Sequence, residues 1–268
     1  MTDSINLKCG YSEVNGLKMY YEVYGQGEPL VLIHGGGSTI QTSFGRIIPQ
    51  LAKHRQIIGV ELQAHGRTND RNTDLTFEQD ADDTARLLKN LEITRADFLG
   101  FSNGGHTTME IAIRHPALVN KIILCSTFYK RSAVFPQFWE GFGGKVKFSD
   151  MPQAYKDEFL KINNDPAALL NMFDKDVHRM LLFKDWSDEQ IKSIKAPALV
   201  VNGDADLASP EHAVEMFRMI PNCQLAIIPG GHGKYLGEIT TLTNGKWTQE
   251  YIAPLIEQSL PGPTLQQN

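Results

Sequence analysis

Two hydrophobic periods alternate along most of this chain. Short, unbroken apolar runs occur at Pro29 to Ile33, Gln56 to Val60, Ala96 to Leu99, Lys121 to Cys125, Ala198 to Val201 and Gln224 to Ile228. Runs of this length without polar interruption suit strands buried on both faces of a parallel sheet. Between them lie stretches with apolar residues at helical spacing, about Ile40 to Ala52, Phe77 to Leu91, Gly105 to His115 and Pro210 to Ile220. Ser209 before Pro210 is a helix start, with serine as N-cap and proline at the first helical position. At the N-terminal end, Tyr11 to Val14 and Leu17 to Tyr24 flank Asn15-Gly16, a two-residue hairpin signal. Strand alternating with helix predicts βαβ units with right-handed crossovers.

The alternation breaks between Phe128 and Ile194. This stretch reads as several helices punctuated by Pro136, Gly141 to Gly144, Pro152 and Pro166, and half of the chain's aromatic residues fall within it. It predicts a helical insertion over the sheet, with most of its aromatics packing it onto the core. With 268 residues and 41% hydrophobic content, the chain suits one large α/β domain or two small ones. The net charge of −5 and the lack of a basic run argue against a nucleic-acid partner. Cys9, Cys125 and Cys223 are too few and too scattered for a disulfide framework or a metal set, so free thiols are expected, buried at Cys125 and Cys223, which lie in apolar runs. Met1 to Gly10 lacks a signal-peptide core, and no apolar run approaches about 18 residues, so a cytoplasmic protein without a membrane segment is expected.

The densest chemistry lies at Gly100-Phe101-Ser102-Asn103-Gly104-Gly105. A Gly-x-Ser-x-Gly run between a strand and a helix is the nucleophile-elbow pattern. The turn is so tight that only small residues fit beside the serine. A serine hydroxyl needs a base, and the base needs an orienting acid, in the chain order Ser, Asp or Glu, His. His232 stands in the loop Pro229 to Gly233 after an apolar strand, whereas His106 and His115 lie on the helix after Ser102, His178 in the insertion and His212 on a helix. The loop Gly203-Asp204-Ala205-Asp206 follows the preceding strand. Asp206, three residues beyond the glycine, can reach the histidine loop, and Asp204 is assigned to the turn. An oxyanion needs two fixed donors. The backbone of Asn103 and that of Gly36, with Gly37 as the alternative, in His34-Gly35-Gly36-Gly37 supply them. No phosphate-loop pattern accompanies these glycines.

With those residues assembled, the chain resembles the α/β-hydrolase superfamily over nearly its full length, in particular its compact single-domain members with a helical cap. Ala64-His65-Gly66-Arg67-Thr68 is also similar to a turn these proteins often carry after the fourth strand. Glu61 stands where an Asp is common and Asn103 where Met is frequent. Gly233-Lys234-Tyr235 lacks the aromatic pattern of the carbon–carbon bond hydrolases. The resemblance implies a mostly parallel eight-stranded sheet with helices on both faces and a helical cap inserted after the sixth strand. The core would comprise residues 1–127 and 195–268, and the cap residues 128–194.

The expected activity is a serine hydrolase acting on a small carboxylic ester or related acyl compound. Ser102, His232 and Asp206 would be the catalytic set and Gly36 and Asn103 the oxyanion hole, with no metal or organic cofactor. Phe128, Phe135, Phe138 and Trp139 are expected to line an apolar substrate pocket, and Lys130 and Arg131 to be solvated. Carbon–carbon bond hydrolysis, a perhydrolase or lyase reaction on the same triad, and a slow-turnover receptor for a small ligand are the alternatives. The oligomeric state and the substrate are not fixed by the sequence.

Overall fold

In the computed structural model, which describes residues 7–244, 247 and 252–260, one eight-stranded sheet forms the centre of the molecule. Its strands are β1 (Leu7–Val14), β2 (Leu17–Tyr24), β3 (Pro29–Ile33), β4 (Gln56–Val60), β5 (Ala96–Phe101), β6 (Val119–Cys125), β7 (Ala198–Gly203) and β8 (Cys223–Ile228). The spatial order is β1-β2-β4-β3-β5-β6-β7-β8. Only β2 runs against the rest, pairing antiparallel with both β1 and β4. β1 starts earlier than its apolar signal. Leu7 to Cys9 are exposed, and ladder bonds to β2, not burial, make them a strand.

The continuous apolar runs are explained by burial from both sides. On β3, Val31 and Ile33 join one core, while Leu30 and Leu32 join the other. Phe98 and Leu99 divide in the same way on β5, as do Ile122 and Ile123 on β6, because successive side chains on a strand point to opposite faces. The first core is covered by α3 (Phe77–Asn90), α4 (Asn103–Arg114), α8 (Asp188–Lys192) and α9 (Pro210–Met219). The second is covered by α1 (Ile40–Phe44), α2 (Ile48–Leu51) and α10 (Ile252–Ser259). The single helix expected at Ile40 to Ala52 is two short ones. Gly45 closes the first with a bond from its N–H to Gln41, and Pro49 lies in the first turn of the second.

Between β6 and β7 the chain forms α5 (Pro136–Glu140), a π-helical turn at Gly141–Lys145, α6 (Gln153–Ile162), α7 (Pro166–Leu181) and α8. Met151, Phe159, Leu169 and Met172 give α6 and α7 a small core of their own. Among the described residues no helix is long and apolar enough to cross a membrane. Cys9, Cys125 and Cys223 are all free. Cys125 is buried, whereas Cys223 is half-buried and Cys9 exposed.

Parallel strands place every strand-to-helix loop at one edge, the carboxyl edge of the sheet. The loops after β3, β4, β5, β6, β7 and β8 therefore converge, and α7 lies against those after β3 and β4. The sheet that holds this edge is sensitive to its core. Phe98→Ala, at a fully buried position on the central strand β5, is expected to cost about 3–5 kcal/mol. Urea unfolding should show a lowered midpoint with an unchanged slope.

Candidate active site

Ser102 occupies the turn between β5 and α4 with φ 54° and ψ −121°, a strained conformation for a residue with a side chain. Its N–H donates to Cys125 O at 2.9 Å, and its carbonyl accepts from Gly105 N at 2.8 Å. The flanking glycines are required by contact. A Cβ on Gly100 would collide with Gly104 O, and one on Gly104 with Ile33 O. A Cβ on Gly105 would lie 2.6 Å from the Thr127 Cβ. The helix thus lies against the ends of β3 and β6, and Ser102 is half-exposed at the floor of a cavity.

The loops after β7 and β8 bring Asp206 and His232 together. His232 Nδ1 donates to Asp206 Oδ1 at 2.7 Å, which leaves Nε2 as the basic nitrogen of the ring. The Asp206 carboxylate also accepts from Ser126 Oγ at 2.5 Å, from Leu207 N at 2.7 Å and from Gly203 N at 3.1 Å. Burial alone would push its pKa up, yet the bonds from His232, Ser126 and Leu207 hold it below the ordinary carboxylate value. Asp204 instead accepts from Gly230 N at 2.8 Å and ties the two loops together. Among the described residues no hydrogen bond joins Ser102 Oγ to His232.

Ser126 was not evident as a site residue in the sequence. It follows β6 with φ 51°, is buried, and lies 2.8 Å from the hydroxyl of Tyr235, which donates to Val201 O. The available signal was a pair of hydroxyl residues, Ser126 and Thr127, closing an apolar strand at the carboxyl edge.

The loop after β3 adjoins the serine. A Cβ on Gly36 would lie 2.6 Å from Asn103 Nδ2, so a larger residue there would displace the Asn103 amide. Gly37 N–H donates to Asp176 Oδ2 of α7 at 2.5 Å. Among the described residues the N–H groups of Gly36 and Asn103 have no hydrogen-bond partner, and both residues border the cavity.

The cavity has a volume of about 270 Å³. Beyond the loop residues its wall is mostly apolar, with Phe138, Phe142, Val146, Met151, Tyr155, Phe173, Val177, Met180 and Leu207. Its charged lining residues are Asp150 and Asp176, with no Lys or Arg among them. Of the aromatic residues expected at the pocket, Phe138 lines it and the other three do not. Phe128 is buried against His106, Phe183 and Trp139. Trp139 carries Arg131 on its ring, 4.0 Å from the centroid, beside an outer groove. Phe135 is 52% exposed. The insertion's aromatic density mainly serves this packing. Lys130, expected to be solvated, pairs with Glu215 at 2.5 Å.

Two buried histidines beneath the loops differ in charge. His34 donates from Nδ1 to Gly35 O at 2.7 Å and accepts at Nε2 from Leu62 N at 3.1 Å, so it is neutral. His65 faces Gln63 O at 2.8 Å with Nδ1 and Asp176 Oδ2 at 2.9 Å with Nε2. Both partners only accept, so both ring nitrogens carry protons. Burial, with the cationic His65 adjacent, pushes His34 down to about 3. Burial opposes the charge on His65, but Asp176 raises its pKa above the ordinary value. Among the described residues no cluster of three or more His, Cys, Asp or Glu is arranged to hold a metal ion.

A family model described as alpha/beta hydrolase fold matches residues 28–159. That span contains the elbow and the glycine loop but ends before Asp206 and His232. Serine hydrolase BPHL of Homo sapiens is 25% identical over 230 residues, which are 81% of this chain and 77% of that protein. A serine hydrolase involved in carbazole degradation, the CarC enzyme, superposes with a TM-score of 0.77 at 21% identity, over 95% of this chain and 98% of that one. The enol-lactonase from Burkholderia xenovorans LB400 superposes at 0.71 and 22% identity, over 93% and 99% respectively. The structural matches show the fold.

The histidine states are measurable. In ¹⁵N spectra at neutral pH, His65 is expected to show two protonated ring nitrogens and His34 the neutral Nδ1–H form. Because the folded state holds His34 at about 3, against about 6.5 when unfolded, unfolding takes up a proton between these values. The stability His34 contributes is therefore full above about 6.5 and falls as pH drops toward 3. Because His106 and His212 are depressed too, the test is the difference in urea midpoint between the unaltered chain and His34→Gln, which should shrink as pH drops through this range; a pH-independent difference would contradict it.

Proposed function

The chain is a hydrolase of the α/β-hydrolase superfamily, and from that premise we propose that it is a serine hydrolase cleaving a small, neutral carboxylic ester or lactone through an acyl-enzyme. One arrangement carries this reading. Ser102 sits strained at the cavity floor between two unpartnered backbone donors, and the His232–Asp206 pair stands on the adjoining loops.

In this mechanism Ser102 Oγ attacks the substrate carbonyl while His232 Nε2 takes its proton. The link between them forms as substrate enters, since catalytic hydrogen bonds often tighten only in the complex. Asp206 holds His232 in the Nδ1–H tautomer and stabilises the cation that develops. The N–H groups of Gly36 and Asn103 bind the oxyanion. His232 then passes its proton to the leaving group, and water, activated by the same histidine, releases the acyl group. Residues 128–194 act as the cap that roofs the cavity, over a core of residues 1–127 and 195–268, of which 1–6, 245–246, 248–251 and 261–268 lie outside the described residues.

The lining favours neutral acyl compounds. Carboxylate-bearing substrates would meet Asp150 and Asp176 without a Lys or Arg in the wall to receive them. Among neutral esters, each buried methylene should add about 0.8 kcal/mol until the cavity is full. A chain-length series beside matched carboxylate-bearing esters tests this, and a higher kcat/KM for the acidic set would refute it. Predominant carbon–carbon bond cleavage in the same assays would assign the triad to that chemistry instead.

A fluorophosphonate probe is expected to label Ser102, with labelling and hydrolysis both lost in Ser102→Ala. Asp206→Asn should keep the fold and lower kcat by up to about 10⁴-fold. Asp204→Asn should act mainly on stability, by no more than about 1 kcal/mol, because the amide oxygen still accepts from Gly230 N but without the charge. A larger rate loss at Asp204 than at Asp206 would move the acid to Asp204.

A further inference from the structure

One buried ionic group near the cavity has no part in the mechanism above. Asp176, on the third turn of α7, reaches from the insertion to the core. Its Oδ2 accepts from Gly37 N at 2.5 Å and from His65 Nε2 at 2.9 Å, and its Oδ1 accepts from Arg179 Nη2 at 2.5 Å. Arg179 Nη1 in turn donates to Asp80 Oδ2 of α3 at 2.7 Å. Two cations and two carboxylates, all buried, thus balance one another.

Two side chains fix the glycine loop: His34 Nδ1 donates to Gly35 O in the peptide that carries the Gly36 N–H, and Asp176 holds the next peptide through Gly37 N. The Gly37 N–H belongs to the peptide plane that joins it to Gly36. Fixing that plane sets the backbone between the two glycines, where no side chain restricts rotation. It also commits the Gly37 N–H to Asp176, leaving the Gly36 N–H free at the cavity. We propose that Asp176 is a positioning residue. Its carboxylate clamps the Gly36–Gly37 peptide so that the Gly36 donor stays aimed at the oxyanion, and the docked insertion thereby completes the active site. This rests on the serine-hydrolase reading. The charge state supports it. Burial would push Asp176 up, but His65, Arg179 and the Gly37 N–H hold it far below the ordinary carboxylate range, so it accepts as an anion. A charged acceptor makes a stronger hydrogen bond than a neutral one.

A purely structural role would give a different pattern from a positioning role. Asp176→Ala removes the acceptor, and Asp176→Asn keeps its volume but sets an amide donor against Gly37 and His65 or against Arg179. Asp80→Asn removes a charge from the far end of the cluster, beside Arg179 Nη1, without touching Asp176 or Gly37. In the full chain, with a neutral 4-nitrophenyl ester, Asp176→Ala is expected to lower kcat about 10²-fold, comparable to losing one oxyanion donor. KM should stay within about threefold. Asp176→Asn should fall in the same direction by about tenfold or more. Amide hydrogen exchange at Gly37 should quicken in both. Asp80→Asn should lower thermal stability with a much smaller drop in kcat.

Unchanged exchange at Gly37 in both Asp176 variants would overturn the proposal, and so would unchanged kcat. An equal kcat loss in Asp80→Asn would also overturn it, by showing general destabilisation. If Asp176→Ala does not fold, Asp176→Asn carries the same readouts. If Ser102→Ala retains hydrolysis, the serine reading fails, while the exchange measurement still decides whether Asp176 clamps the loop.

Discussion

The structure depends on how closely α4 can approach the sheet. Its first turn lies so near β3 and β5 that Gly100 and Gly104 leave no room for a Cβ. That approach puts Ser102 in a conformation which costs about 1–3 kcal/mol. It also brings the end of β3 alongside the serine. The glycine loop, Asn103 and Ser102 therefore share one wall of the cavity. Larger residues at these glycines would push α4 away and separate these groups, whatever chemistry they perform.

Around this turn the carboxyl edge is a region of selected charge. His34 and His65 lie with ring centroids 4.9 Å apart, yet one is neutral and the other charged. Their partners make the difference. A backbone N–H opposite one nitrogen forces His34 to accept there, while a carboxylate opposite the corresponding nitrogen of His65 forces it to donate. Buried charges persist only when paired. The cation on His65 therefore ties the loop after β4 to the insertion as firmly as any apolar contact does.

The insertion is joined to the core in two ways. On one side an aromatic cluster gathers Phe77, Trp139, Phe183 and Trp186 around His106 and Phe128. Burial among these rings keeps His106 neutral, with its pKa down to about 3. On the other side the Asp176–Arg179 pair meets Asp80 and His65. The cavity lies where α5, α6 and α7 span between these attachments, lined by Phe138, Tyr155 and Phe173.

Local patterns in the sequence determined the strands, most helices and the identity of the serine turn. An apolar run of five residues or a glycine pair around Ser102 carries its meaning within a few positions, since it reflects backbone sterics and two-sided burial. The same locality made Asp206 and His232 readable, because each follows a strand in a fixed order. The sequence could not say which aromatics would face the cavity. Phe128 and Phe138 are alike in type and near in position, yet Phe128, just after β6, is buried in the core, whereas Phe138, on α5, borders the cavity. Nor could it pair Asp176 with Gly37, which are 139 positions apart, or Ser126 with Asp206, which are 80 apart. Contacts of that kind come from how separate elements pack, and a single residue's type does not encode its distant partner. The tertiary structure decided those, and with them the charge of each buried histidine.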